Sequence, residues 1–203
     1  VLVASSDITE RKQAELNTQF INQLDFELSR ITEADEIIRL ATSRLGEFLG
    51  VTCCYIIEVN PSADVAFVHE SWVGWRIDGP SIVGEYRISD FVTPECLDEF
   101  EAGRATVVKD VMSDPRIRDF TSKYKSLGVG AFISIPALNE RQWEANLTVD
   151  HPQARDWRPD ETQLMRDITA RLWPAFKRAR AVEALRESED RYRSVVENQT
   201  ELI

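Results

Sequence analysis

The chain has 203 residues, 43% of them hydrophobic, with 8 Gly and 8 Pro, which is enough for one packed core with flanking helices. Its 24 basic and 35 acidic residues leave a net charge of −11. The acidic groups are spread along the chain and repel both a phosphate backbone and an anionic surface, so neither nucleic acid nor membrane is expected as a partner. The longest nearly apolar run, Gly128 to Leu138, contains Ser134 and Pro136 and falls short of the roughly 18 residues a membrane span needs. The three cysteines, Cys53, Cys54 and Cys96, are odd in number, and two are adjacent in a strand-like run that points neighbours to opposite faces. They fit a reducing cytoplasm better than a disulfide framework. The chain opens without Met or a signal peptide, and the expectation is a piece of a longer cytoplasmic protein.

In chain order, Thr9 to about Arg30 lacks Gly and Pro and repeats Leu16, Phe20, Leu24 and Leu28 every four positions, an amphipathic helix. Thr32 followed by Glu33, Asp35 and Glu36 starts a second helix ending near Gly50. Val51 to Val59 and Asp64 to Val73, separated by a turn at Asn60, Pro61 and Ser62, predict an antiparallel hairpin. Gly74 to Ser89 reads as irregular. Thr93, Pro94 and Gly103 frame a short helix containing Cys96, and Ala105 to Val108 is a brief strand. Asp114 and Pro115 open a helix reaching Gly128, with Ile117, Phe120, Tyr124 and Leu127 as its apolar stripe. Strands at Gly130 to Leu138 and Trp143 to Val149 flank a turn at Asn139 to Arg141. From Pro159 a long helix carries Leu164, Ile168, Leu172, Phe176, Ala179, Val182 and Leu185 at spacings of four and three, with a kink expected at Pro174. The order predicts an α+β fold: an antiparallel sheet of about five to six strands, helices on one face, a looser segment covering a pocket on the other, and long helices at both ends.

Several segments resemble known families. Asp7 to Glu15 (DITERKQAE) is similar to the closing stretch of a PAS domain, and Arg186 to Ile203 (RESEDRYRSVVENQTELI) to the opening of another. Between them, Gly103-Arg104, Leu127-Gly128-Val129 with Ala131, the Ile133-Ser134-Ile135-Pro136 strand, Arg155-Asp156-Trp157 and Asp160-Glu161 with Leu164 and Ile168 resemble a GAF domain. The implied organisation is 1–15 as a PAS tail and linker, 16–185 as the GAF domain and 186–203 as the start of a second PAS domain. Such a succession implies a non-catalytic signalling module within a multidomain histidine kinase or, alternatively, the input domain of a cyclic-dinucleotide enzyme.

The resemblance also bears on cofactors. The Cys-His pair that anchors a bilin in members that carry one aligns with Asp119 and Phe120, so no covalent bilin is expected. His69 and His151 are the only histidines; they read as a sheet-surface and a loop residue, and no haem is expected. No Cys or His cluster has metal-ligand spacing, and the Asn-Lys pair of cyclic-nucleotide-binding members is missing. A thiol-dependent reductase or redox sensor using Cys53, Cys54 or Cys96 remains the alternative enzyme reading. The candidate ligand-binding residues are Trp72, Tyr86, Phe91, Phe120, Tyr124 and Phe132, with Trp75 beside them, around an unidentified small molecule. Leu16, Phe20, Leu24, Leu172, Phe176, Ala179 and Val182 form the expected seam of a parallel homodimer.

Overall fold

The computed structural model describes residues 2–77 and 79–200, with side-chain surroundings from 11 to 193 except at 71. The ends of the two expected PAS segments, at residue 1 and residues 201–203, lie outside the described residues.

Helix α1 spans Leu2–Leu28 and α2 spans Ala34–Leu49. Gly50, at φ 59° in the left-handed region, ends α2 and lets the backbone turn directly into the sheet. The strands are β1 (Cys53–Asn60), β2 (Val65–Val68), β3 (Val73–Arg76), β4 (Gly84–Arg87), β5 (Thr106–Val108), β6 (Ala131–Asn139) and β7 (Gln142–His151). They form one antiparallel sheet in the order β4-β2-β1-β7-β6-β5, with β3 also paired to β1. The hairpin between β6 and β7 turns on Glu140 and Arg141, both at positive φ, the backbone that a two-residue loop needs to match the strand twist.

The sheet has seven strands where about five to six are expected. Two departures account for this. The stretch from Asp64 to Val73 is not one strand: a 3-10 turn at Glu70–Trp72 divides β2 from β3. The segment read as irregular also holds β4. Where β3 crosses α2 the two backbones nearly touch. A Cβ at Gly74 would lie 2.3 Å from the Arg39 carbonyl oxygen, and one at Gly46 2.3 Å from Trp75.

One sheet face is covered by α2 and by α5 (Pro159–Thr200), with α1 packed on both. Cys54, Ile56, Ile133, Ile135, Leu147 and Val149 point into this layer and meet Ile38, Leu45, Leu164, Ile168 and Leu172. Glu161, buried at the start of α5, joins Arg155, whose guanidinium also donates to the Leu49 and Gly50 carbonyls at 2.9 and 3.2 Å. That fork ties the last loop to the end of α2. Helix α5 continues as one element through Pro174. Helices α1 and α5 run side by side in the same direction. Asn17 bonds Asp160, and Asp25 pairs with Arg171 at 3.4 Å. Further along, Glu183 of α5 accepts from the Ala34 N–H at the start of α2, 2.7 Å away.

The other face carries the crossing segment: α3 (Pro94–Glu101), a 3-10 turn at Pro115–Phe120 and α4 (Thr121–Ser126). The expected caps are in place. Thr93 accepts from the Cys96 N–H and Asp114 from the Arg116 N–H.

The buried positions require a correction to the expected seam. Leu24, Leu172 and Phe176 are 3%, 1% and 3% exposed and belong to the chain's own core. Phe20 stacks on Phe48 with ring centres 4.2 Å apart, and Ala179 packs on the same core. A helix lying on a sheet needs an apolar stripe of its own. Leu16 and Val182 remain exposed, at 41% and 47%.

Candidate functional site

Between the sheet and the crossing segment lies a cavity of about 120 Å3, well above the roughly 10–15 Å3 that one water requires. Strand alternation builds its floor. On β1 it is Tyr55 and Ile57 that face the cavity while Cys54 and Ile56 face the helices; on β6 and β7, Phe132, Ser134, Asn146 and Thr148 face the cavity while Ile133, Leu147 and Val149 do not. Ala66 and Val68 of β2 close one side, and Cys96 and Phe100 of α3 close the top.

Four of the six predicted ligand residues line this cavity: Tyr86, Phe91, Tyr124 and Phe132. Their rings form a continuous wall. Tyr86 meets Phe91 edge-on at 5.5 Å, Phe91 meets Tyr124 edge-on at 5.6 Å, and Tyr124 stacks on Phe132 at 5.2 Å. The wall is held by its phenols, Tyr86 donating to the Ile82 carbonyl at 2.7 Å and Tyr124 to the Phe91 carbonyl at 2.9 Å.

Trp72 and Phe120 lie elsewhere. Trp72 is buried on the opposite face of the sheet against Trp173 and Phe176, its indole donating to Asp35 at 2.9 Å. Continuing the alternation from Ala66 and Val68 would bring Trp72 to the cavity, but the 3-10 turn at Glu70–Trp72 breaks the period. Trp75 is also on the helix side, bonded to the Val51 carbonyl. Phe120 stands at the junction of the 3-10 turn and α4 and packs on the cluster of Val108, Val111, Ile117 and Val129. Ile117 takes the cavity position instead.

Sequence reasoning missed the polar part of the floor. The Trp143 indole donates to Asn146 Oδ1, Asn146 Nδ2 to Ser134 Oγ at 2.7 Å, and Ser134 Oγ lies 2.9 Å from Thr148 Oγ1. Polar residues at alternate positions of otherwise apolar strands were the available signal. Beside this network Asp150 is 4% exposed. Burial pushes its carboxyl up to about 7, against the opposing effects of the Tyr55 hydroxyl bond and the Arg76 charge.

The cysteines are poorly placed for thiol chemistry. All three are free and buried. Burial pushes Cys53 up to about 12 and Cys54 well above the ordinary thiol range, which suppresses the thiolate that would attack a substrate. His69 bonds Glu58 at 2.7 Å and packs between Phe67 and Trp72, and His151 contacts Gln153. Among the described residues no group of three or more His, Cys, Asp or Glu side chains could hold a metal, and no helix is long and apolar enough to cross a membrane.

Solved structures share the architecture. The phycoerythrobilin-bound GAF domain of a cyanobacterial phytochrome superposes with a TM-score of 0.68 at 16% identity, covering 82% of this chain and 97% of that one. The free methionine-R-sulfoxide reductase of Neisseria meningitidis in complex with its substrate gives 0.65 at 15%, covering 84% and 93%. The GAF domain of an Acinetobacter phosphoenolpyruvate-protein phosphotransferase gives 0.61 at 12%, covering 83% and 98%. At these identities the likeness speaks for the fold. No curated protein matches the chain. Residues 33–176 match the GAF domain, and with that span covering most of the sequence and the sheet, crossing segment and cavity all in place, the chain belongs to the GAF domain family.

Proposed function

We propose that this domain is a cytoplasmic, non-catalytic sensor and transmitter in which an unidentified small molecule in the cavity biases the packing of the terminal helices. The observation that carries the reading is the shared sheet. Its β1, β6 and β7 present the cavity floor on one face and the bed of α2 and α5 on the other, so a shift of these strands reaches both. The PAS-like segments at 7–15 and 186–203 support placement between two PAS domains of a multidomain histidine kinase. The burial of all three thiols, with Cys53 and Cys54 held protonated, argues against the reductase alternative. The partner in this reading is a second copy of the chain, joined along the exposed Leu16, Val182 and Leu185 rather than the buried part of each stripe.

Native mass spectrometry tests both parts. A dimer carrying a small added mass is expected, and a bare monomer under all conditions overturns the reading. Leu16→Glu with Val182→Glu should give a folded monomer by sedimentation velocity, because neither side chain belongs to the core. A variant that remains dimeric removes the seam.

A further inference from the structure

The floor of the cavity carries a row of hydroxyls that crosses four strands. Tyr55, Thr148, Ser134 and Thr106 are register partners on β1, β7, β6 and β5, and all four line the cavity with Asn146 beside them. With strands about 4.8 Å apart, the row spans about 14 Å.

The first two bonds of this network have a fixed direction. An indole N–H can only donate, so the Trp143 bond fixes Asn146 Oδ1 as acceptor and Nδ2 as donor to Ser134. Ser134 and Thr148 then share one hydrogen bond but hold two hydroxyl protons. Whichever hydroxyl donates, one proton of the pair has no acceptor within the network. The second Asn146 Nδ2 proton is in the same condition. Thr106, directly opposite Ser134, makes no side-chain hydrogen bond among the described residues, yet no side-chain nitrogen or oxygen is both sealed from solvent and unpartnered. Its hydroxyl therefore faces open cavity.

The remaining polar groups around the cavity are committed. Tyr86 donates to the Ile82 carbonyl and Tyr124 to the Phe91 carbonyl, and the Tyr55 hydroxyl is directed at the Asp150 carboxyl, whose pKa it lowers. Among the described residues the one cationic lining residue, Arg87, is exposed and paired with Asp64 at 3.2 Å. An anion entering the cavity would lose its hydration without gaining a buried counter-charge, which is costly.

We infer that the row of Thr106, Ser134 and Thr148 with Asn146 is a subsite for a hydrogen-bond acceptor, and that the cavity takes a neutral, ring-sized molecule bearing a carbonyl oxygen. The aromatic wall of Tyr86, Phe91, Tyr124 and Phe132 holds the ring, and the floor donates to the oxygen. This inference rests on reading the cavity as a ligand site.

Three probes of similar shape separate the possibilities: acetophenone, which has ring and acceptor; ethylbenzene, which lacks the acceptor; and benzoate, which is charged. Binding is followed in 1H–15N spectra through the Trp143 indole N–H and the Asn146 side-chain amide. Acetophenone should shift both signals in a saturable way. Thr106→Val, which removes a hydroxyl with no bonded partner, and Ser134→Ala should each weaken acetophenone roughly three- to tenfold, the effect of one neutral hydrogen bond, and leave ethylbenzene unchanged. Thr106→Val keeps the test decisive if Ser134→Ala, which orphans Asn146, fails to fold. Equal effects on acetophenone and ethylbenzene would overturn the subsite while leaving the cavity a ligand site. Tighter binding of benzoate would overturn the neutral ligand. If none of the three moves either signal, the ligand reading falls together with the subsite.

Discussion

The two faces of one sheet are made by adjacent residues of the same strands, yet they differ in kind. Toward the helices, β1, β6 and β7 present Cys54, Ile56, Ile133, Ile135, Leu147 and Val149, fully apolar and packed without polar relief. Toward the crossing segment they present Tyr55, Phe132, Ser134, Asn146 and Thr148, aromatic and polar around open space, with the buried Asp150 on the same face. A face filled with branched aliphatic side chains gains stability from each methylene. A face that leaves a cavity and keeps polar groups in it gives up part of that gain, and a site is what remains. Stability and recognition are thus separated by a single step along the chain.

The sharpest break of this comparison is Leu147→Ala. It empties the helix-side core beside an untouched Thr148 and should cost about 3–5 kcal/mol in chemical denaturation, without altering the hydrogen bonds of the floor.

Asp150→Asn probes the other face. A carboxyl at about 7 in the folded protein and near its usual value when unfolded binds its proton more tightly in the folded state. Its contribution is full below pH 4 and is lost as the pH rises towards 7, a change of up to about 4 kcal/mol. Asp150→Asn should therefore raise the melting temperature at pH 8 and change it little at pH 4. Equal effects at both values would mean that Asp150 does not titrate in this range.

The neighbouring cysteines sharpen the contrast. Cys54→Ser places a hydroxyl among the aliphatic side chains of the helix-side core and should cost about 1–3 kcal/mol. Cys53→Ser, beside its register partner Asp150, finds an acceptor and should cost clearly less. The smallest effect belongs to neither face: Arg141→Gly relieves a left-handed backbone at φ 70° and should stabilise by about 0.5–1 kcal/mol, with probe binding unchanged.

The limits of the sequence have the same origin. The caps at Thr93 and Asp114, the turn at Gly50 and the alternation of β6 and β7 are local, and local chemistry writes them plainly. The cavity wall was legible because Tyr86, Phe91, Tyr124 and Phe132 are large rings concentrated in or beside the covering segment. Trp72 was misplaced because the 3-10 turn at Glu70–Trp72 reverses the phase of the strand, and a single serine, Ser71, with no Gly, Pro, Asn or Asp beside it, is a weak turn signal. Leu24, Leu172 and Phe176 read as a seam because periodicity reports a buried stripe and is silent about what buries it. The hydroxyl row depends on register across β5, β6 and β7, which brings together residues 106, 134 and 148.

The parallel overlap of α1 and α5 makes the domain a lap joint. From Asn17 to Asp25 the two rods lie flank to flank for about 12 Å. Force along either one is carried as shear between faces instead of compression between ends. Leu24 in the core and Phe20 against Phe48 resist that shear, whereas the exposed Asp25–Arg171 pair contributes little. If the joint slips, it slips by about one helical turn, near 5.4 Å, because only a whole turn brings an apolar residue back to the inward position. Its natural alphabet is therefore one of discrete registers, with little room for gradation between them.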